Sequence, residues 1–448
     1  MDRRRFLRAT AAAGVAAVTA GCGGLREDSD QPPPADTAAT PSGTVSTSTS
    51  GRATDTDRFD SVVDLAEAGA DADRSLVPYL ERHLADDTMV YLPAGRYRMD
   101  DTVRLLSFDN VGIVGDGAVI VPPDGFDSTL FDLGRPGRAS NLLIEGITFD
   151  FRAPDTGSRP VSALVDDGLV IRDLAVVGKQ DAGRAMLRAD VTDPDGTGLV
   201  ERLRLPDGAA YETQSTAFLV GDRHRGELRF EDCRIVGFPD NGLYADPDHG
   251  RVEVVGGYYA NCDISNVRVG NDSVVRGVHV RNDTAPSGYE NMRGIRATHG
   301  DGVLVEDCTV ELERVPASEG GIVMSSQLTA GTVRNTRIEV DADGVSAIRA
   351  KSPDDALADG ELVFEDITVR GTAANGAAIE MLNREDCTFD RATVVQSGAS
   401  RDGFLFDYVS SGIIRDSHID VTGRPVVSAD RATVEVFDSH PLEVNTSR

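Results

Sequence analysis

The chain has 448 residues, and 74 acidic side chains against 45 basic ones give a formal net charge of −29. Such a surface argues against a nucleic-acid partner, which needs a basic face. There is no Trp, aromatics make up 5%, and glycine numbers 46, a composition suited to thin repeated layers closed on Val, Ile, Leu and Ala.

The chain opens Asp2-Arg3-Arg4-Arg5-Phe6-Leu7-Arg8, followed by an apolar run from Ala9 to Ala20 and then Gly21-Cys22. This order resembles a twin-arginine export signal, and Thr19-Ala20-Gly21-Cys22 is similar to a lipobox. The resemblance implies cleavage and lipidation at Cys22; an ordinary signal cut near Ala20, or a short anchor, is the alternative. The apolar run is shorter than the roughly 20 residues that span a bilayer. Residues 1–22 are thus read as the signal. Residues 23–57 are rich in Pro, Ser, Thr, Asp and Gly and read as a disordered spacer, because they cannot bury enough surface to offset chain entropy. Residues 58–448 form the folded domain. Lys179 and Lys351 are the only lysines. A lysine-poor acidic surface resembles that of haloarchaeal proteins, which stay soluble in molar salt, where the Debye length falls to roughly 3 Å. The expected location is the outer face of the cytoplasmic membrane, which the protein touches through its lipid alone.

Asp73 to Leu84 reads as a short helix, and Val90-Tyr91-Leu92-Pro93-Ala94-Gly95-Arg96-Tyr97-Arg98 as a strand. A repeat then runs to the C-terminus, about twelve times. Its first part is Gly-apolar-x-apolar followed by an acidic or Asn corner, as in Gly168-Leu169-Val170-Ile171-Arg172-Asp173 and Gly302-Val303-Leu304-Val305-Glu306-Asp307. A second short strand precedes each unit, as in Gly294-Ile295-Arg296-Ala297 and Ala347-Ile348-Arg349-Ala350. Repeats start roughly 20 to 30 residues apart, in the solenoid range. Strands this short cannot make a core alone, and pairing each with its equivalent one turn later stacks their inward side chains. A β-propeller needs four strands per blade. Helix, strand and repeats together resemble the right-handed parallel β-helix superfamily, the pectate-lyase-like fold. The resemblance implies an all-β solenoid with a short N-terminal helical cap.

Beyond Cys22, the cysteines Cys233, Cys262, Cys308 and Cys387 have no metal-ligand spacing. Cys233 and Cys308 fill one slot of the repeat, held elsewhere by Ile147, Leu174 or Ile367, and are expected to be buried thiols.

Chemistry is expected in columns across coils. With Val267 and Val269 inward, Arg268 faces out; so do Arg296 and Arg349, with Val323 between them, Tyr244 before them and Glu380 after. Lys351 lies two residues beyond Arg349 on the same face. A guanidinium can grip a carboxylate through two bonds, so an extended acidic, uronate-containing polysaccharide can lie along such a stripe. Tyr258, Tyr259 and Tyr289 are read as loop residues that stack on sugar rings. Resemblance to the lyases of this fold implies that an Arg or Lys takes the proton beside the uronate carboxylate. A calcium ion or further cations would then stabilise the intermediate. Arg296, Arg349 and Lys351 are the candidates, with Asp246 and Asp301 as calcium ligands. Polygalacturonases of the fold are echoed faintly by Thr298-His299-Gly300 and Arg349-Ala350-Lys351, but the paired acids are missing from their places. His299 is read as a catalytic candidate or a solvated corner residue. The competing reading is a non-catalytic surface or adhesion solenoid in which each arginine is paired off with an acid.

Overall fold

The structure, a computed structural model, describes residues 56–181, 185–354 and 360–440, and the backbone of 444–446. The signal, Cys22 and nearly all of the 23–57 spacer lie outside the described residues.

The fold is an all-β parallel solenoid of about 13 turns. Its strands form a wide sheet of 26 and a narrow sheet of 14. One turn supplies two strands to the wide sheet, such as Glu227–Glu231 and Arg234–Val236, and one to the narrow sheet, such as Asn241–Ala245. Each pairs in parallel with its equivalent a coil later. The period-two alternation read from the sequence places Leu243, Val267, Ile295, Ile322, Ile348, Ile379 and Phe404 in one inward stack. All seven are fully buried. Each such side chain contributes roughly 1.5–3 kcal/mol of burial free energy, which is how thin coils hold together without large aromatic clusters.

The sharp corner between the two wide-sheet strands of a turn needs a left-handed backbone. Asp173, Asp232, Asp307, Asn335, Asp366 and Asp416 occupy it, with φ between 45° and 56°. Short polar side chains tolerate this region better than other non-glycine residues. Arg202 and Arg391 break the rule with φ of 52° and 54°. Each is ion-paired to the corner aspartate one coil earlier, Arg202 to Asp173 at 2.6 Å and Arg391 to Asp366 at 2.8 Å.

Two boundaries differ from the sequence expectation. The helix spans Val77–His83, shorter than 73–84, with Pro78 in its first turn; the Asp71 carboxylate instead holds Asp73 and Arg74 in a preceding turn. The Val90–Arg98 run is two strands, Thr88–Leu92 and Gly95–Arg98, broken around Pro93 and Ala94. The four described cysteines are free and buried, and burial pushes each thiol up to about 12.

Candidate functional site

Tyr244, Arg268, Arg296, Val323, Arg349 and Glu380 occupy successive positions of the narrow sheet in strict register. Neighbouring strands in a sheet lie about 4.8 Å apart, so these side chains form one outward column. Most of its cations have acids within reach. Arg268 pairs with Asp246 at 2.7 Å, and its guanidinium lies 4.1 Å from the centre of the Tyr244 ring. Arg349 faces Glu380 at 3.3 Å.

Val323, the apolar member of the column, is fully buried although it faces outward. The loop that carries Glu319 covers it: a Cβ on Gly320 would lie 3.4 Å from the Val323 side chain. The Glu319 carboxylate is held by Lys351 at 2.8 Å and by Arg293 at 2.5 Å. Burial alone would raise the Glu319 pKa, but the Lys351 hydrogen bond and the Arg293 charge outweigh it and hold the group at about 2.

Arg296 is different. Its Nε donates to Ser325 Oγ at 2.9 Å, and among the described residues no carboxylate lies within 4.0 Å of it. Burial, then the charges of Arg293 and Arg268, push its pKa down to about 10, while Asp246 and Glu319 pull the other way. Among the described residues the group Arg268, Arg293, Arg296, Arg349 and Lys351 is ion-paired with Asp246, Glu319 and Glu380, five cations against three acids. That local excess sits on a chain with a net charge of −29.

The other expected residues fall elsewhere. His299 follows a register shift after Ala297. Its ring lies where a Gly270 side chain would be, with Nδ1 3.0 Å from the Thr298 hydroxyl and Nε2 3.3 Å from the Pro247 carbonyl. It is a half-buried packing residue with both nitrogens engaged. Asp246 is taken by Arg268, and Asp301 is exposed in the turn after Ile295–Gly300. Among the described residues no three His, Cys, Asp or Glu side chains gather as a metal site, so Asp246 and Asp301 do not fit a calcium ion.

The tyrosines need correction. Tyr259 is not a loop residue but sits in the wide-sheet strand Tyr258–Ala260, fully buried in an inward row with Ile235 and Val280. It cannot stack on a ligand. Tyr258, its neighbour, faces out on the wide sheet, apart from the column. Tyr289 does lie in a loop, stacked at 6.0 Å on Tyr211, whose hydroxyl donates to the Gly288 carbonyl. Sequence reasoning missed Arg293 and Glu319, in loops, and Tyr211, in the short 3-10 helix Tyr211–Thr213, where no repeat register applies.

No protein family and no curated protein matches this sequence. Solved structures similar in fold include PfbA, a surface adhesin of Streptococcus pneumoniae, at 11% identity over 86% of this chain and 92% of that one, with a TM-score of 0.45. The A-module of the Azotobacter vinelandii mannuronan C-5 epimerase AlgE4 is similar at 14% identity over 87% of this chain and 100% of that one, with a TM-score of 0.47. The catalytic domain of a GH87 α-1,3-glucanase is similar at 11% identity over 87% and 68%, with a TM-score of 0.36. At these identities the likeness is one of architecture. Among the described residues no helix is long and apolar enough to cross a membrane.

Proposed function

We propose that this chain is an exported, lipid-anchored surface solenoid that binds a carboxylate-bearing polysaccharide along its narrow sheet. The observation that supports it most is Arg296, a half-buried guanidinium with a serine hydroxyl beside it and, among the described residues, no carboxylate within 4.0 Å. Burying a cation without a counter-charge is costly. A uronate carboxylate supplies the missing charge and matches the guanidinium fork. Arg268, fixed over Tyr244, and Arg349, facing Glu380 at 3.3 Å, mark the path of the polymer on either side.

Cleavage by β-elimination is the second reading, favoured by the half-buried place of Arg296 in the column, where burial and the charges of Arg293 and Arg268 lower its pKa. A neutral fraction of Arg296 would take the proton beside the uronate carboxylate. The electron pair would form the carbon–carbon double bond as the glycosidic oxygen leaves with its bonding pair and is protonated by solvent. Hydrolysis has less support, since the acids nearest the column, Asp246, Glu319 and Glu380, are each held by a cation and a glycosidase needs two working carboxyl groups.

Incubation with polygalacturonate and with alginate in molar salt separates the readings. Binding that is lost in Arg296→Ala, with no near-ultraviolet absorbance from unsaturated ends, is the expected result. Absorbance that grows with time and is lost in Arg296→Ala would install the lyase. Undiminished binding by Arg296→Ala would remove the proposal.

A further inference from the structure

We infer that a second site for a carboxylated sugar lies on the wide sheet, in the groove between Arg204, Arg234 and Tyr258. This does not rest on the role given to Arg296. The groove is shallow, about 370 Å³ in volume, and Cys233 and Gly257 are part of its lining. Arg204, Arg234, Tyr258 and His279 follow one another in register on four successive coils.

Most other arginines of this sheet are paired with an acid on their own or a neighbouring coil, with Arg370 an exception among the described residues. Glu306 lies between Arg276 and Arg334 at 2.5 Å from each, Arg337 meets Glu339 at 3.0 Å, and Arg391 meets Asp366 at 2.8 Å. Arg204 and Arg234 are exposed and, among the described residues, have no carboxylate within 4.0 Å. In a chain with 74 acidic side chains, two adjacent guanidiniums without acids stand out against that pattern. Arg234 is held instead by the Tyr258 ring, 4.5 Å from the ring centre. His279 packs edge-on to the same tyrosine at 5.2 Å and is anchored by Glu311. A cation fixed by an aromatic ring keeps its charge available and loses little freedom on binding.

The rest of the lining selects the ligand. Arg202 is already paired with Asp173. Asp232 is exposed on the groove, where it repels a bare inorganic anion but accepts a hydrogen bond from a hydroxyl. Two free guanidiniums beside one carboxylate suit a ligand with both an acid group and hydroxyls, as a uronate ring has. The groove has room for about one such ring. The molecule would then hold acidic sugars on two sheets, and so could bridge two polymer strands.

Arginine footprinting with phenylglyoxal, mapped by mass spectrometry, tests this, with trigalacturonate as the probe and maltotriose as the neutral control. Trigalacturonate should slow modification of Arg204 and Arg234 at least threefold, and maltotriose should not. Arg204→Gln and Arg234→Gln, both exposed changes, should each weaken probe protection at the other arginine about tenfold in concentration, the size of one charge-assisted contact. Arg296→Gln should leave this protection intact, which separates the groove from the narrow-sheet site. Equal protection by maltotriose, no protection, or loss of protection in Arg296→Gln would overturn the second site.

Discussion

The sharp corner of the wide sheet and the stretch of narrow sheet around Arg296 use the same residue in opposite ways. At its sharp corner the wide sheet sets arginine against acid from coil to coil, with Glu306 gripped by Arg276 and Arg334 and Asp366 by Arg391. Around Arg296 the narrow sheet gathers more cations than acids, and among the described residues Arg296 has the Ser325 hydroxyl and no carboxylate within 4.0 Å. A compensated ladder is a structural device, since its charges are spent on neighbouring turns. A partly buried cation without an acid beside it costs stability, and on the proposed function a ligand carboxylate offsets that cost at Arg296.

The contrast can be broken most sharply at Arg296. Arg296→Ala should weaken binding of an acidic oligosaccharide about 10- to 100-fold, the worth of a charge-assisted pair, while the denaturant midpoint stays the same or rises. A fall in stability with unchanged binding would make Arg296 another ladder residue. Next in size is Glu319→Ala, which leaves the buried Arg293 without its acid. We expect a loss of about 2 kcal/mol in guanidinium unfolding, as when one partner of a partly buried pair is removed. The same carboxyl sharpens the contrast through pH. Its folded pKa of about 2 is below the ordinary 4.5, so its contribution is full above about pH 4.5 and declines as pH falls towards 2. In Glu319→Gln that part of the acid dependence should disappear from a pH series of melts. Smallest is Glu306→Gln on the wide sheet, which should lower stability by less than Glu319→Ala and leave binding unchanged.

Much of this could be read from the sequence, and the exceptions have a common cause. The Tyr244-to-Glu380 column was legible because strands alternate with period two and the repeat fixes which residues share a slot. The same logic placed Cys233 and Cys308 as buried thiols. It failed at Tyr259, where two adjacent tyrosines looked like a loop. The rows Arg234-Ile235-Val236, Tyr258-Tyr259-Ala260 and His279-Val280-Arg281 carry the signal, with the middle residue of each pointing inward. Glu319 and Arg293 were illegible for another reason. They come from loops between the sheets, which have no period, so nothing in their spacing shows that the Glu319 carboxylate meets Arg293 and Lys351. Asp246 was illegible likewise, since it looks free in sequence and only the fold shows Arg268 taking it.

The most direct test is a crystal structure with trigalacturonate soaked in at molar salt. The account predicts a sugar carboxylate on the Arg296 guanidinium at about 2.8 Å, with the chain directed along the line from Tyr244 to Glu380. A narrow sheet that stays bare while Arg296 turns to one of the protein's own acids would contradict it.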